Sequence, residues 1–168
     1  MHLPFPPLAA LLAAFAVAAL CGPAFAAAEA PQITTAAMSP TRFAVDFSTP
    51  PEGQSAVARV PRGTTFSYRL SKGANVFFFL DRGTTGRSVN GKCRRPTSHN
   101  RHAKACVRYV RSGSFRQNGL QGDNTKRFGG RIRKVTLQPA HYRARIIAVD
   151  DTGTPSSARV LRFTILRG

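Results

Sequence analysis

Acidic side chains are scarce: seven Asp and Glu stand against 25 Lys and Arg in 168 residues. That shortage is the first constraint on function. Hydrolysis by two carboxylates needs a pair of acids facing one bond, and the pool is Glu29, Asp46, Glu52, Asp81, Asp123, Asp150 and Asp151. Asp150 and Asp151 are adjacent, but they sit in DDTGTPS, where Asp side chains support turn backbone. Cysteine is sparse too, with three in the chain. No glycine-rich loop follows a strand and opens a helix, so a nucleotide cradle has no support. Amphipathic helical periodicity is missing outside the apolar N-terminal run. Catalytic, metal-binding and cofactor-binding residues are therefore all expected to be none.

The single long apolar run, Leu8 to Leu20, is uncharged and of signal-peptide length. It is shorter than the roughly 20 residues that span a bilayer. Gly22 and Pro23 break it, and Ala24-Phe25-Ala26 offers the small residues of a cleavage site. We expect residues 1–26 to be a signal peptide, cleaved near Ala26–Ala28, rather than a retained anchor. Cys21 follows the bulky Leu20, which departs from the small residue a lipidation signal needs. Cleavage would discard Cys21 and leave Cys93 and Cys106, and an even count outside the cytoplasm reads first as one disulfide. The chain closes on Arg167-Gly168 without an apolar tail. A secreted, extracellular protein, associated with the cell envelope by charge if at all, is the expectation.

Residues 27–41, AAEAPQITTAAMSPT, carry no usable period and read as a flexible linker. Alternation begins at Phe43, Val45 and Phe47 and stops in the turn-rich stretch 48–55. It returns at Phe66, Tyr68 and Leu70, then at Val76, Phe78 and Leu80, with Phe77 and Phe79 on the opposite side. That second apolar side has to be covered or to form a contact patch. Val107–Phe115 reads as a basic strand or hairpin arm, and Phe128, Ile132, Val135 and Leu137 follow. Tyr142, Ala144, Ile146 and Ala148 give a clean period of two, as do Leu161, Phe163 and Ile165. Short strands separated by turn signals predict an all-β, antiparallel β-sandwich over residues 42–168.

Leu137-Gln-Pro139-Ala-His-Tyr142, followed by RARIIAVD and the DDTGTPS loop, resembles the late strands of fibronectin type III and bacterial immunoglobulin-like domains. The resemblance implies a tyrosine corner at Leu137, Pro139 and Tyr142, with the hydroxyl bonded to backbone upstream. The stretch TFSYRLS, then Gly86-Arg87, Gly91-Lys92-Cys93, Arg95-Pro96-Thr97 and Cys106-Val-Arg-Tyr109, is similar to a module of exported actinobacterial proteins. There it is an arginine-rich insert between sandwich strands. The two resemblances cover about residues 59–167 and imply architecture more than activity.

The insert, residues 82–106, decides the functional reading. Cys93, His99, His102 and Cys106 could ligate zinc, but zinc sites favour short Cys-x2-4-Cys and His-x3-5-His pairs. Here the cysteines bracket the histidines among Arg94, Arg95, Arg101 and Lys104, which repel a dication. A Cys93–Cys106 disulfide closes a small ring around a segment too polar to order itself by burial. A nuclease-like use of His99, His102 and Lys104 is the enzymatic alternative.

A net charge of +18 attracts a polyanion. Arg94, Arg95, Arg101, Lys104, Arg108 and Arg111 are the candidate anion-binding residues, with Tyr109, Phe115 and Phe128 interleaved as on nucleic-acid surfaces. Outside the cytoplasm, an anionic envelope polymer or surface protein is the expected partner, and nucleic acid the less favoured one. A solvated basic face without a ligand is the bland reading. The sequence thus predicts a non-enzymatic structural or adhesive module. The alternatives are a small secreted hydrolase or nuclease using the His99/His102 loop, and a nucleic-acid-binding protein.

Overall fold

A computed structural model of the chain describes residues 29–46 and 60–168. The expected signal peptide, its cleavage site, Cys21, Phe47 and the turn at 48–55 lie outside the described residues. Among the described residues the architecture is all-β, and no helix is long and apolar enough to cross a membrane.

The strands in chain order are β1 (Ile33–Ser39), β2 (Arg42–Ala44), β3 (Thr64–Leu70), β4 (Ala74–Val89) and β5 (Lys92–Arg94). They continue as β6 (Ala105–Gly119), β7 (Gly122–Phe128), β8 (Arg131–Ile132), β9 (Val135–Thr136), β10 (Ala140–Val149) and β11 (Arg159–Leu166). One sheet has the order β1-β3-β7. The larger sheet runs β2-β11-β10-β4, with β6 along the far side of β4 and β5 at its tip. Strands β8 and β9 form a separate small hairpin.

Each main strand offers one apolar face, and the two sheets bury those faces against each other. Phe66, Tyr68 and Leu70 of β3 meet Val76, Phe78 and Leu80 of β4 and Tyr142, Ala144 and Ile146 of β10. Phe78 stacks on Phe115 at 4.7 Å, and Phe115 on Phe128 at 5.3 Å. Full burial of one such ring contributes about 1.5–3 kcal/mol. Phe78 and Phe115 are cross-strand neighbours in the larger sheet, and Phe128 of β7 carries the stack across to the smaller one.

Two sequence expectations change. Residues 33–39, read as linker, form β1 and pair antiparallel with β3 from Ile33↔Leu70 to Ser39↔Thr65. Their apolar side chains are few and small, so the sequence hides a strand whose cohesion comes from backbone pairing and from buried Ile33 and Met38. The domain therefore starts before Arg42. The insert also differs from the expected loop: β4 runs on to Val89 and pairs with β6 from Ala74↔Gly119 to Arg87↔Ala105. Beyond the last pairing with β10, at Tyr142↔Arg82, these strands continue as an arm.

Candidate anion-binding surface

The arm is built from backbone pairing and one covalent bond. Asn90 and Gly91, with φ of 50° and 71°, turn β4 into β5, the conformation that an Asn-Gly pair favours in two-residue hairpins. That dipeptide was the sequence signal for β5. Cys93 and Cys106 are joined with Cα atoms 6.0 Å apart, which ties β5 to β6 across the central strand β4. The bond crosses β4 at Gly86, where a Cβ would overlap the Cys93 sulfur. Glycine is required there for close approach. The loop between β5 and β6 is tied by its own polar groups. The Thr97 amide donates to Asn100 Oδ1 at 2.7 Å, Asn100 Nδ2 to the Arg95 carbonyl at 2.9 Å, and Arg87 Nη1 to the Ala103 carbonyl at 3.0 Å.

The six nominated cations divide into three groups. Arg94, Arg95, Arg101 and Lys104 are exposed on the arm, and among the described residues none of them forms an ion pair. Arg108 is half-buried with its Nε enclosed and unpaired, packed beside Gly86. Arg111 belongs to a different place, the outer face of the larger sheet. The nominated histidines are exposed in the single helical turn Ser98–Asn100 and just after it, where Arg101 Nε lies 2.8 Å from His102 Nε2. With both cysteines in the disulfide, the Cys93/His99/His102/Cys106 set is not a ligand set. Among the described residues no three His, Cys, Asp or Glu side chains converge.

The aromatic residues placed beside these cations by the sequence are mostly elsewhere. Phe128 is buried and Phe115 packs against the core, so neither ring is offered to a base. Only Tyr109 is on the surface, and Arg143 lies over its ring at 4.1 Å.

The outer face of the larger sheet holds a cluster that charge counting along the chain does not reveal. Asp81 is buried, and three arginines donate to it through Nε: Arg111 to Oδ1 at 2.7 Å, Arg143 to Oδ2 at 3.0 Å and Arg145 to Oδ2 at 3.2 Å. They come from two strands flanking β4, in register with it: Asp81↔Arg111 on β6 and Asp81↔Arg143 on β10. Burial pushes the Asp81 carboxyl up, but the bonds from Arg111 and Arg143 and the charges of Arg111 and Arg145 outweigh it and hold it below the ordinary carboxylate range. Arg111 and Arg145 also lie over the Phe79 ring, at 4.5 and 5.8 Å. The second apolar side of β4 is thus covered by guanidinium groups at Phe79, while Phe77 lines a separate open pocket with Ser114 and Arg116. The cluster's only early trace in the sequence is the alternation of Arg143 and Arg145 opposite a lone acid.

Beside this cluster the arm and the sheet edge enclose an open groove of about 680 Å³. Val107 and Tyr109 line it from β6, His141 from β10, Arg162 and Thr164 from β11, and Arg42 from β2. Its floor approaches Gly83, where a Cβ would meet the His141 carbonyl at 3.3 Å. His141 Nδ1 lies 3.0 Å from Thr164 Oγ1.

Tyr142 also borders this groove; its ring is buried and its hydroxyl donates to the Gln138 carbonyl at 2.8 Å. Burial raises the phenol above its usual range. Leu137 is buried beneath it and Pro139 is exposed. Asp150 accepts from Lys72 Nζ at 2.8 Å, from the Thr152 hydroxyl at 2.7 Å and from the Thr154 amide at 2.9 Å. The Lys72 and Thr152 bonds hold its carboxyl well below the usual range, which is a turn-supporting role. Comparison with protein-family models, curated proteins and solved structures finds no match to this chain.

Proposed function

We propose that the protein is an exported, non-enzymatic structural or adhesive module that contacts an anionic polymer or a surface protein at the cell envelope. The observation that carries this reading is the arm: exposed Arg94, Arg95, Arg101 and Lys104, held out by a disulfide, with no carboxylate between Arg82 and Gly122. A carboxylate-free projection keeps its field for an external anion. A disulfide fits an oxidising compartment. The immunoglobulin or fibronectin III type is supported by a three-stranded sheet facing a larger one and by the Tyr142–Gln138 bond at the entry to β10. The basic insert then occupies the hairpin between β4 and β6.

The non-enzymatic part is supported by the setting of His99 and His102, solvated among cations with no acid beside them to orient either ring. The test is a binding survey of the purified mature protein at moderate salt against wall polymers, heparin-like glycans, anionic vesicles and duplex DNA. Retention on purified wall material, unaffected by His99→Ala and His102→Ala, is expected. Turnover of an ester or phosphodiester that those substitutions abolish would overturn the reading, as would tight binding to DNA alone with a steep salt dependence.

A further inference from the structure

The geometry points to a built saccharide site on the outer face of the larger sheet. The Asp81-ordered arginines would grip an anionic group of a sugar polymer, and the adjoining groove would take the ring beside it. This rests on the polyanion reading above but moves the specific contact from the arm to the sheet.

Exposed arginines alone give attraction without shape. These are ordered. Each uses Nε on Asp81, and among the described residues their terminal nitrogens have no other hydrogen-bond partner. With side chains 43%, 32% and 34% exposed, Arg111, Arg143 and Arg145 can reach a ligand with those terminal nitrogens. One carboxylate against three guanidiniums leaves net positive charge that is fixed in place, so little side-chain entropy is lost on binding an anion.

Register extends the site. Arg111, Asp81, Arg143 and Arg162 form one row across β6, β4, β10 and β11. At strand spacing the row is about 14 Å long, enough for successive charges of a linear polymer. Arg162 also lines the groove, so the row and the groove are continuous. The groove volume of about 680 Å³ is in the range of small-molecule sites.

Its chemistry suits a hydroxylated ring. Val107 is 61% exposed and provides an apolar wall. Among the described residues the Thr41 and Thr85 hydroxyls in the lining have no hydrogen-bond partner. Nucleic acid fits less well, because base stacking needs open ring faces. Here Phe79 and Tyr109 already carry guanidinium groups.

The anion can be a carboxylate or a phosphate on the sugar, and the probes separate the two. Calorimetric titration of the intact mature protein at about 150 mM salt, where attraction beyond about 8 Å is screened, uses a galacturonate hexamer, a phosphorylated hexose hexamer and a glycerol-phosphate hexamer that has charge but no ring. Binding of either ring-bearing probe in preference to the ringless one is expected. Arg143→Lys and Arg162→Lys keep the charge but lose the fork, and each should weaken binding about tenfold. Asp81→Asn makes the protein more positive, so plain attraction would tighten binding; loss of the ordered cluster weakens it. Equal binding of the ringless probe, or undiminished affinity in the two lysine variants, overturns the site. The lysine variants decide alone if Asp81→Asn fails to fold. Binding that survives Arg143→Lys but is lost in Arg94→Ala/Arg95→Ala removes this site and leaves the arm reading standing. A parent protein that binds no polyanion removes both.

Discussion

Strand β4 passes through two regions held together by different physics. Its first half, Ala74 to Leu80, has β10 on one side and β6 on the other, and its Val76, Phe78 and Leu80 are fully buried. Its second half, Gly83 to Val89, has no buried apolar side chain and is flanked by β6 and β5. The body coheres by excluding water from rings. The arm coheres by backbone pairing, one disulfide and a glycine that lets the disulfide pass. A single strand can therefore be long without a long core, provided something other than burial offsets the ordering entropy of its exposed part.

The widest separation of the two regions comes from cutting the core. Phe78→Ala should cost about 3–5 kcal/mol, because the vacated ring volume is lined by Phe66, Tyr68 and Phe115, which cannot collapse into it together. Denaturant unfolding should show the loss in full, for the arm has no core of its own and melts with the body. An arm that kept its exchange protection after the body unfolded would break the comparison.

The reverse experiment cuts only the arm. With Cys93 and Cys106, 13 residues apart, both replaced by Ser, the arm loses a restraint that loop-entropy arguments put at about 3 kcal/mol. Amide exchange should accelerate in Thr84–Val89 and Ala105–Val110 while Phe78 and Tyr142 amides keep their protection. A uniform acceleration would mean that the disulfide restrains the body as well. Gly86→Ala is a gentler version of the same cut, because the added methyl meets the Cys93 sulfur, the Arg94 carbonyl and the Arg108 Cβ. Crowding of this kind costs about 1–3 kcal/mol, and here it falls on disulfide closure. Thiol titration should find a larger free-thiol fraction than in the parent, with the unfolding midpoint of the body nearly unchanged.

This division also explains what was legible in the sequence. Strands that alternate large apolar and polar residues, such as Tyr142–Ala148 and Phe66–Leu70, were readable because burial itself leaves that pattern. The disulfide was readable from the expected export and from the even cysteine count that signal cleavage would leave. Strand β1 was not, since ITTAAMS has small side chains and owes its place to β3. Continuation of β4 through GTTGRSV was hidden for the same reason: backbone pairing leaves little trace in side-chain composition. The Asp81 cluster was the least legible, because it joins β4, β6 and β10 across 30 and 62 residues of chain, and only strand register makes them neighbours.

Acid separates the regions by the smallest margin. The body contains Asp81 and Asp150, both with carboxyls held below the ordinary value of 3.8 by arginine or lysine partners. A carboxyl lowered in the folded state contributes stability that is complete above its unfolded pKa and is lost as pH falls through the folded one. Between Arg82 and Gly122 there is no carboxylate to protonate. From about pH 5 to about pH 2, body stability should therefore decline, most steeply toward the acid end. Arm exchange, corrected for its intrinsic pH dependence, should stay level until global unfolding takes over. Early acid loosening at the arm base, around Arg111 and Val110, with the turn at Asp150 still protected, would place the dominant acid-sensitive contact at Asp81. The opposite order would place it at the Lys72–Asp150 pair.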